Sequence, residues 1–159
     1  MLYILCISGG WVYWNGHYYS QRKRDQLKES TWYGAEGDCI SHGTRVHLAS
    51  IHNQLENDFV SSRASGDQWM GLTDNNNQEK SFNWIDGSAF GGFTNWDTNE
   101  PNQATEHGDC GVLKANGKWA DEPCEVQDTA NEGTVRDGAE VAAPEREYTC
   151  KTSGKRIHL

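Results

Sequence analysis

The chain predicts an α+β fold, with two helices early and a series of short strands after them. Three observations carry this. Apolar residues recur at helical spacing only before Gly66, and the later ones stand in short runs separated by Gly, Asn and Asp. Seven Trp, six Tyr and 17 Gly among 159 residues make a composition of aromatic anchors on irregular loops, not of long helices. Four of the five cysteines, at 39, 110, 124 and 150, can staple such a loop-rich domain, although spacing alone leaves their pairing open.

A length of 159 residues is one domain's worth, and we take residues 1–159 as a single unit with its core over about 6–151. The chain carries 14 basic against 23 acidic residues, a net charge of −9. That excess argues against a nucleic-acid backbone or an anionic membrane surface as partner.

Taken in order, residues 1–7 are apolar and read as a first strand. They are far too short to span a membrane, and without a basic residue ahead of them they make a poor export signal. Arg22-Lys23-Arg24 reads as a solvated turn. Trp32, Ala35, Cys39 and Ile40 recur at helical spacing and predict a helix over 31–41. Residues 47–51 read as a short strand. Asn53, with Glu56 three residues on, makes a capping-box-like start for a second helix, whose buried face is Leu55, Phe59 and Val60 and which runs until Gly66. Strands follow at 68–72, 82–85, 111–113, 118–120 and 148–151, with Trp69 and Trp84 as core residues.

The stretch with the most chemistry is Trp96-Asp97-Thr98-Asn99-Glu100-Pro101-Asn102, with Trp119-Ala120-Asp121 some twenty residues behind it. Glu100 and Asn102 flank a proline, so two oxygen-bearing side chains sit at fixed separation on a loop that cannot relax into helix or central strand. Calcium takes six to eight oxygens, and this loop offers carboxylate and amide oxygens with no thiolate or imidazole pair. A sugar could complete such a shell, each hydroxyl coordinating the metal while donating to a carboxylate and accepting from an amide.

With Gly10-Trp11, Trp32-Tyr33-Gly34-Ala35, His47-Leu48-Ala49-Ser50-Ile51, Trp69-Met70-Gly71-Leu72, Trp84-Ile85-Asp86-Gly87-Ser88, Asn95-Trp96, Glu100-Pro101-Asn102 and Gly117-Lys118-Trp119 in this order, the chain resembles a C-type lectin-like domain from about Cys6 to Cys150. That resemblance implies two helices, short antiparallel sheets and a long irregular loop holding calcium and sugar. It implies disulfides Cys39–Cys150 and Cys110–Cys124, which in turn place the domain in an oxidising, extracellular compartment. It implies a cis bond before Pro101, calcium ligands at Glu100, Asn102 and Asp121, and direct sugar contacts from the same three residues. Asn95 and Trp96 are read as structural supports of the loop.

Two positions depart from the pattern. Ala120 stands where an asparagine is expected, and Gly108 where a glutamate is; Glu106 is the nearby carboxylate that can replace the latter. The polar stretch Asp74-Asn75-Asn76-Asn77-Gln78-Glu79 does not fit a helix-loop-helix calcium loop, since position six is Glu79 and position twelve is Ile85. The resemblance implies an auxiliary calcium site there from Asp74, Glu79 and Asp109, and a plain polar turn is the other reading. The Glu-Pro-Asn order resembles members that prefer mannose, glucose, fucose or N-acetylglucosamine.

Two features lie outside the resemblance. Tyr18 stands where long-form members carry the partner of the first cysteine, which leaves Cys6 available to bridge a homodimer. Residues 125–147 form an acidic insertion without an aromatic residue, expected to be mobile because it cannot bury enough apolar surface to order itself.

Enzyme chemistry is not expected: His-Glu-x-x-His, a phosphate loop, Gly-x-Ser-x-Gly and Cys-x-x-Cys are all missing, and the six histidines are scattered along the chain. The function expected is calcium-dependent binding of mannose-type glycans. The rival reading is a lectin-like domain that binds a protein or another ligand without calcium, favoured by Ala120 and Gly108.

Overall fold

A computed structural model describes residues 5–6, 8–22, 31–74, 81–102, 109–125 and 146–153. The chain begins with strand β1 (Leu5–Cys6), a 3₁₀ turn (Ser8–Gly10), β2 (Trp11–Trp14) and β3 (His17–Arg22). Helix α1 (Trp32–Ser41), β4 (Val46–Leu48) and helix α2 (Gln54–Ser61) follow, then β5 (Gln68–Thr73), β6 (Asn83–Trp84), β7 (Asp109–Leu113), β8 (Trp119–Pro123) and β9 (Glu147–Thr152). This is the α+β architecture expected, and no helix among the described residues is long and apolar enough to cross a membrane.

The β2–β3 hairpin closes on Asn15-Gly16, both at positive φ (46° and 91°). That pair matches the twist of the strands it joins. The strands form one path, β1-β2-β3-β9-β5-β7-β8, with β4 also on β9 and β6 on β5. The first and last parts of the chain therefore meet: Ser20 lies opposite Cys150, and Leu48 opposite Cys150 from the other side. The one parallel pairing in the path joins β5 to β9 at Gln68–Glu147 and Trp69–Tyr148.

Alternation along β5 sends Trp69 to one face, with Trp32, Ala35 and Cys39 of α1, and Met70 and Leu72 to the other, with Phe59 and Val60 of α2. Gly71 is what lets β4 lie against β5. A Cβ there would stand 2.4 Å from the Leu48 carbonyl oxygen, a backbone atom that cannot give way. Cys39 is bonded to Cys150 and Cys110 to Cys124, the pairing the resemblance implies, and all four are buried. Trp69 and Trp84 are core residues as expected.

Both helices are turned slightly from their expected faces. Thr31 caps α1 through Gly34 N–H, but Ile40 is 46% exposed and Glu36 lies inside in its place, accepting from Leu48 N–H at 2.9 Å. Asn53 caps α2 through Glu56 N–H. Leu55, expected inside, is 65% exposed, and Glu56 and Asn57 are buried instead. The reason is partners: Glu56 Oε1 accepts from Lys151 Nζ and from Tyr19 Oη, each at 2.6 Å, so the carboxylate is satisfied inside. The helix ends at Ser61, ahead of Gly66. Cys6 sits in β1 opposite Val12. Residues 126–145 of the acidic insertion lie outside the described residues.

Candidate functional site

The loop that carries Glu100 is tied down by β8. Trp119 N–H donates to Asn95 O at 2.9 Å and Asp97 N–H to Trp119 O at 2.8 Å, which bridges residues 95–97 to the strand in parallel. The Asn95 amide donates to Gly117 O at 2.7 Å and accepts from Lys118 Nζ at 2.9 Å. Trp96 lies against Phe82 and edge-on to Trp119. Asn95 and Trp96 thus support the loop. Its turn is closed by Glu100 N–H to Asp97 O at 3.1 Å, with Asn99 at φ 65°, a value asparagine tolerates better than most residues.

The Glu100–Pro101 bond is cis. Beyond it Asn102 meets both of its expected neighbours, its side-chain amide donating to Glu100 Oε1 at 2.9 Å and its backbone N–H to Asp121 Oδ1 at 2.8 Å. Asp121 reaches this point from β8, where it is buried opposite Gly111. The structure therefore brings Glu100, Asn102 and Asp121 together across 19 residues of sequence.

Negative charge is concentrated in this cluster. Glu100 Oε2 is buried with no hydrogen-bond partner, and Glu100 makes no ion pair among the described residues. Burial, and then the facing Asp121 carboxylate, push the Glu100 carboxyl above its ordinary value. Two carboxylates and an amide oxygen are hard donors that suit calcium. Three side chains cannot fill a shell of six to eight oxygens, and water, backbone or ligand hydroxyls have to supply the rest. No group of three or more His, Cys, Asp or Glu among the described residues has metal-holding geometry.

The remaining expected ligands and the two departing positions lie on β7, on β8, just past β5 or outside the described residues. Ala120, on β8 opposite Val112, is buried and brings no oxygen. Asp109 opens β7 in register with Pro123. Asp74 is buried just past the end of β5. Glu79, Glu106 and Gly108 lie outside the described residues.

One group of residues was not legible in the sequence. His17, His47 and His52, with Arg45 and Lys151, come from β3, β4, the approach to α2 and β9 to line a single cavity of about 520 Å³. No spacing signals it, because four separate segments contribute.

A mixed sheet flanked by two helices, disulfide-stapled, with an irregular loop presenting Glu100 and Asn102 to a strand aspartate, defines a lectin-like domain. The profile of the Lectin C-type domain family matches residues 28–130, and the chain belongs to that family. Human C-type lectin domain family 4 member K is 34% identical over 125 residues, covering 75% of this chain, which spans 36% of that protein's length. Among solved structures, the cow C-type carbohydrate-recognition domain of CD23, determined in the presence of a GlcNAc2Man3 oligosaccharide, superposes with a TM-score of 0.70 at 26% identity, over 96% of this chain and 99% of that one. A calcium-independent type II antifreeze protein shares the fold, with a TM-score of 0.70 at 20% identity over 95% and 96% of the two chains. The family is one of lectin domains.

Proposed function

We propose that this domain binds mannose-type glycans through a calcium ion held by Glu100, Asn102 and Asp121. The observation that carries the reading is the buried Oε2 of Glu100, without a hydrogen-bond partner among the described residues, beside the Asp121 carboxylate, an arrangement that a divalent cation would relieve. When bound, calcium supplies a positive centre that attracts sugar hydroxyl oxygens. Glu100 and Asp121 then accept hydrogen bonds from those hydroxyls, and the Asn102 amide donates to them. The Glu-Pro-Asn order favours mannose, glucose, fucose and N-acetylglucosamine, and the cow relative solved with a mannose-containing oligosaccharide supports this class.

The same reading includes Glu106 as a further ligand, an auxiliary calcium at Asp74, Glu79 and Asp109, one domain over 1–159 acting outside the cell, and a homodimer bridged by Cys6. The paired cysteines support the extracellular placement. The second reading, recognition of a protein or other surface without calcium, rests on Ala120, which leaves the site one amide short. The deciding experiment is retention of the disulfide-intact domain on immobilised mannose in millimolar calcium, followed by a chelator. Release by chelator supports the calcium reading. Flow-through of folded protein on mannose and on galactose overturns it in favour of the second.

A further inference from the structure

The cavity lined by the three histidines shares no residue with the Glu100 loop. In a chain of net charge −9 its wall gathers Arg45, Lys151, His17, His47 and His52. Of the acidic groups nearby, Glu56 and Glu36 are paired with Lys151 and His47, and Asp86 keeps its negative charge on the wall while its oxygens are engaged by donors. Asp86 accepts from Ser50 Oγ at 2.5 Å, from Ser88 N–H at 2.9 Å and from Ser88 Oγ. Glu56 is held by Lys151, Tyr19 and the His52 N–H, and Glu36 by His47 Nδ1 and the Leu48 N–H.

What remains unspent is positive or proton-donating. Arg45 is exposed and makes no ion pair among the described residues. His17 Nδ1 is buried with no partner there. Among the described residues the His52 ring is engaged through Nε2, with Ser50 and Ser88. A guanidinium and imidazoles lining a common space match an oxyanion, which Arg engages in two parallel hydrogen bonds. A cavity of 520 Å³ lies in the range of small-molecule sites, about 300 to 1,000 Å³, and is far larger than a bare sulfate needs.

We propose that this cavity is a second, calcium-independent binding site, for a small sugar-sized ligand that carries one carboxylate or sulfate group, with Arg45, His17 and His52 as its anion-binding residues. Lowered pH strengthens binding, because a protonated imidazole on His17 or His52 donates from both nitrogens. Burial, with Lys151 beside them, holds both histidines below their ordinary value, while Glu56 and Asp86 oppose this; Arg45 and the Glu36–His47 pair complete the charges around the space.

The test is an NMR titration of the histidine ring resonances of the full chain, in chelator and at fixed ionic strength, with glucuronate, sodium sulfate and glucose. Glucuronate should shift His17 and His52 saturably, with a Kd at least fivefold lower at pH 5.5 than at pH 7.5, and glucose should not. Arg45→Gln and His52→Gln should each raise that Kd at least fivefold, and Glu100→Ala should leave it unchanged. Equal affinity for sulfate and glucuronate would overturn the sugar-sized ligand in favour of a free anion. Shifts that never saturate, or a Kd unmoved in both Arg45→Gln and His52→Gln, would overturn the site itself.

Discussion

The backbone N–H of Asn102 donates to Oδ1 of Asp121 at 2.8 Å, which fixes the Glu-Pro-Asn loop against β8, the strand that carries this buried aspartate. The bond uses one lone pair of one Asp121 oxygen. The Glu100 oxygen Oε2 has no hydrogen-bond partner among the described residues, and two carboxylates face each other there.

Removing either carboxylate separates binding from folding. Glu100→Ala and Asp121→Ala should each lower calcium-dependent retention on mannose at least tenfold, while circular dichroism of the folded domain is unchanged. Wild-type retention by both variants would sink the assignment of Glu100 and Asp121 as ligands.

Ala120→Asn restores the missing amide. If calcium is held at this site, the substitution should tighten calcium severalfold in a titration followed by tryptophan fluorescence. Because Ala120 is 4% exposed, a stability loss of about 1 kcal/mol is expected beside the gain in affinity. Unchanged calcium affinity in a folded variant would mean that residue 120 does not face the ion.

Asn57 holds the core beneath the site, accepting from Trp119 Nε1 at 2.7 Å and donating to Gly117 O at 2.9 Å. Asn57→Ala strands a buried indole N–H and should cost about 1–3 kcal/mol in urea unfolding. A loss under about 0.5 kcal/mol would show that the indole finds another acceptor.

Gly71→Ala places a methyl 2.4 Å from Leu48 O, and neither β4 nor β5 can move without breaking the Gly71 N–H to Ala49 O bond of 2.9 Å. The expected loss is about 2–3 kcal/mol, read by thermal unfolding. A neutral effect would mean that the two strands separate more easily than their hydrogen bonds imply.

Acid should destabilise the domain in two stages. His17 and His52 are held below 6.5 in the folded state, chiefly by burial, so the unfolded chain binds more protons and stability falls as pH drops below about 6.5. For Glu56, burial alone would raise the carboxyl. Lys151, Tyr19 and the His52 N–H outweigh it and hold the group below 4.5, so its contribution is present above that value and is lost as pH falls through the lower folded value. Urea midpoints measured from pH 7.5 to pH 3.5 check this. A Glu56→Gln chain should show a smaller second stage, and a flat profile over the whole interval would refute both stages. The remainder of the second stage comes from Asp86, whose carboxyl burial would raise but hydrogen bonds from Ser50 and Ser88 hold below its ordinary value.

Much of this molecule was determined locally. Period-3.6 apolar residues and the Thr31 and Asn53 caps specify the two helices, Asn15-Gly16 specifies the first hairpin, and Glu100-Pro101-Asn102 marks the loop, because each depends on residues a few positions apart. The identity of the buried residues on those helices was decided elsewhere. Leu55 is outside and Glu56 inside because Lys151, 95 residues away, provides the charge that makes an inner carboxylate affordable. The same holds for the sites. Residue type and spacing single out Glu100 and Asn102, and the resemblance adds Asp121, but only the bridging of residues 95–97 to Trp119 brings them within hydrogen-bond reach. The basic cavity had no sequence signature, since His17 of β3 meets Arg45, just before β4, and His52, just before α2, only when β9 pairs with both β3 and β4. Local chemistry thus determined the pieces, and long-range pairing, through the charges and carbonyls it brings into contact, decided which side chains meet.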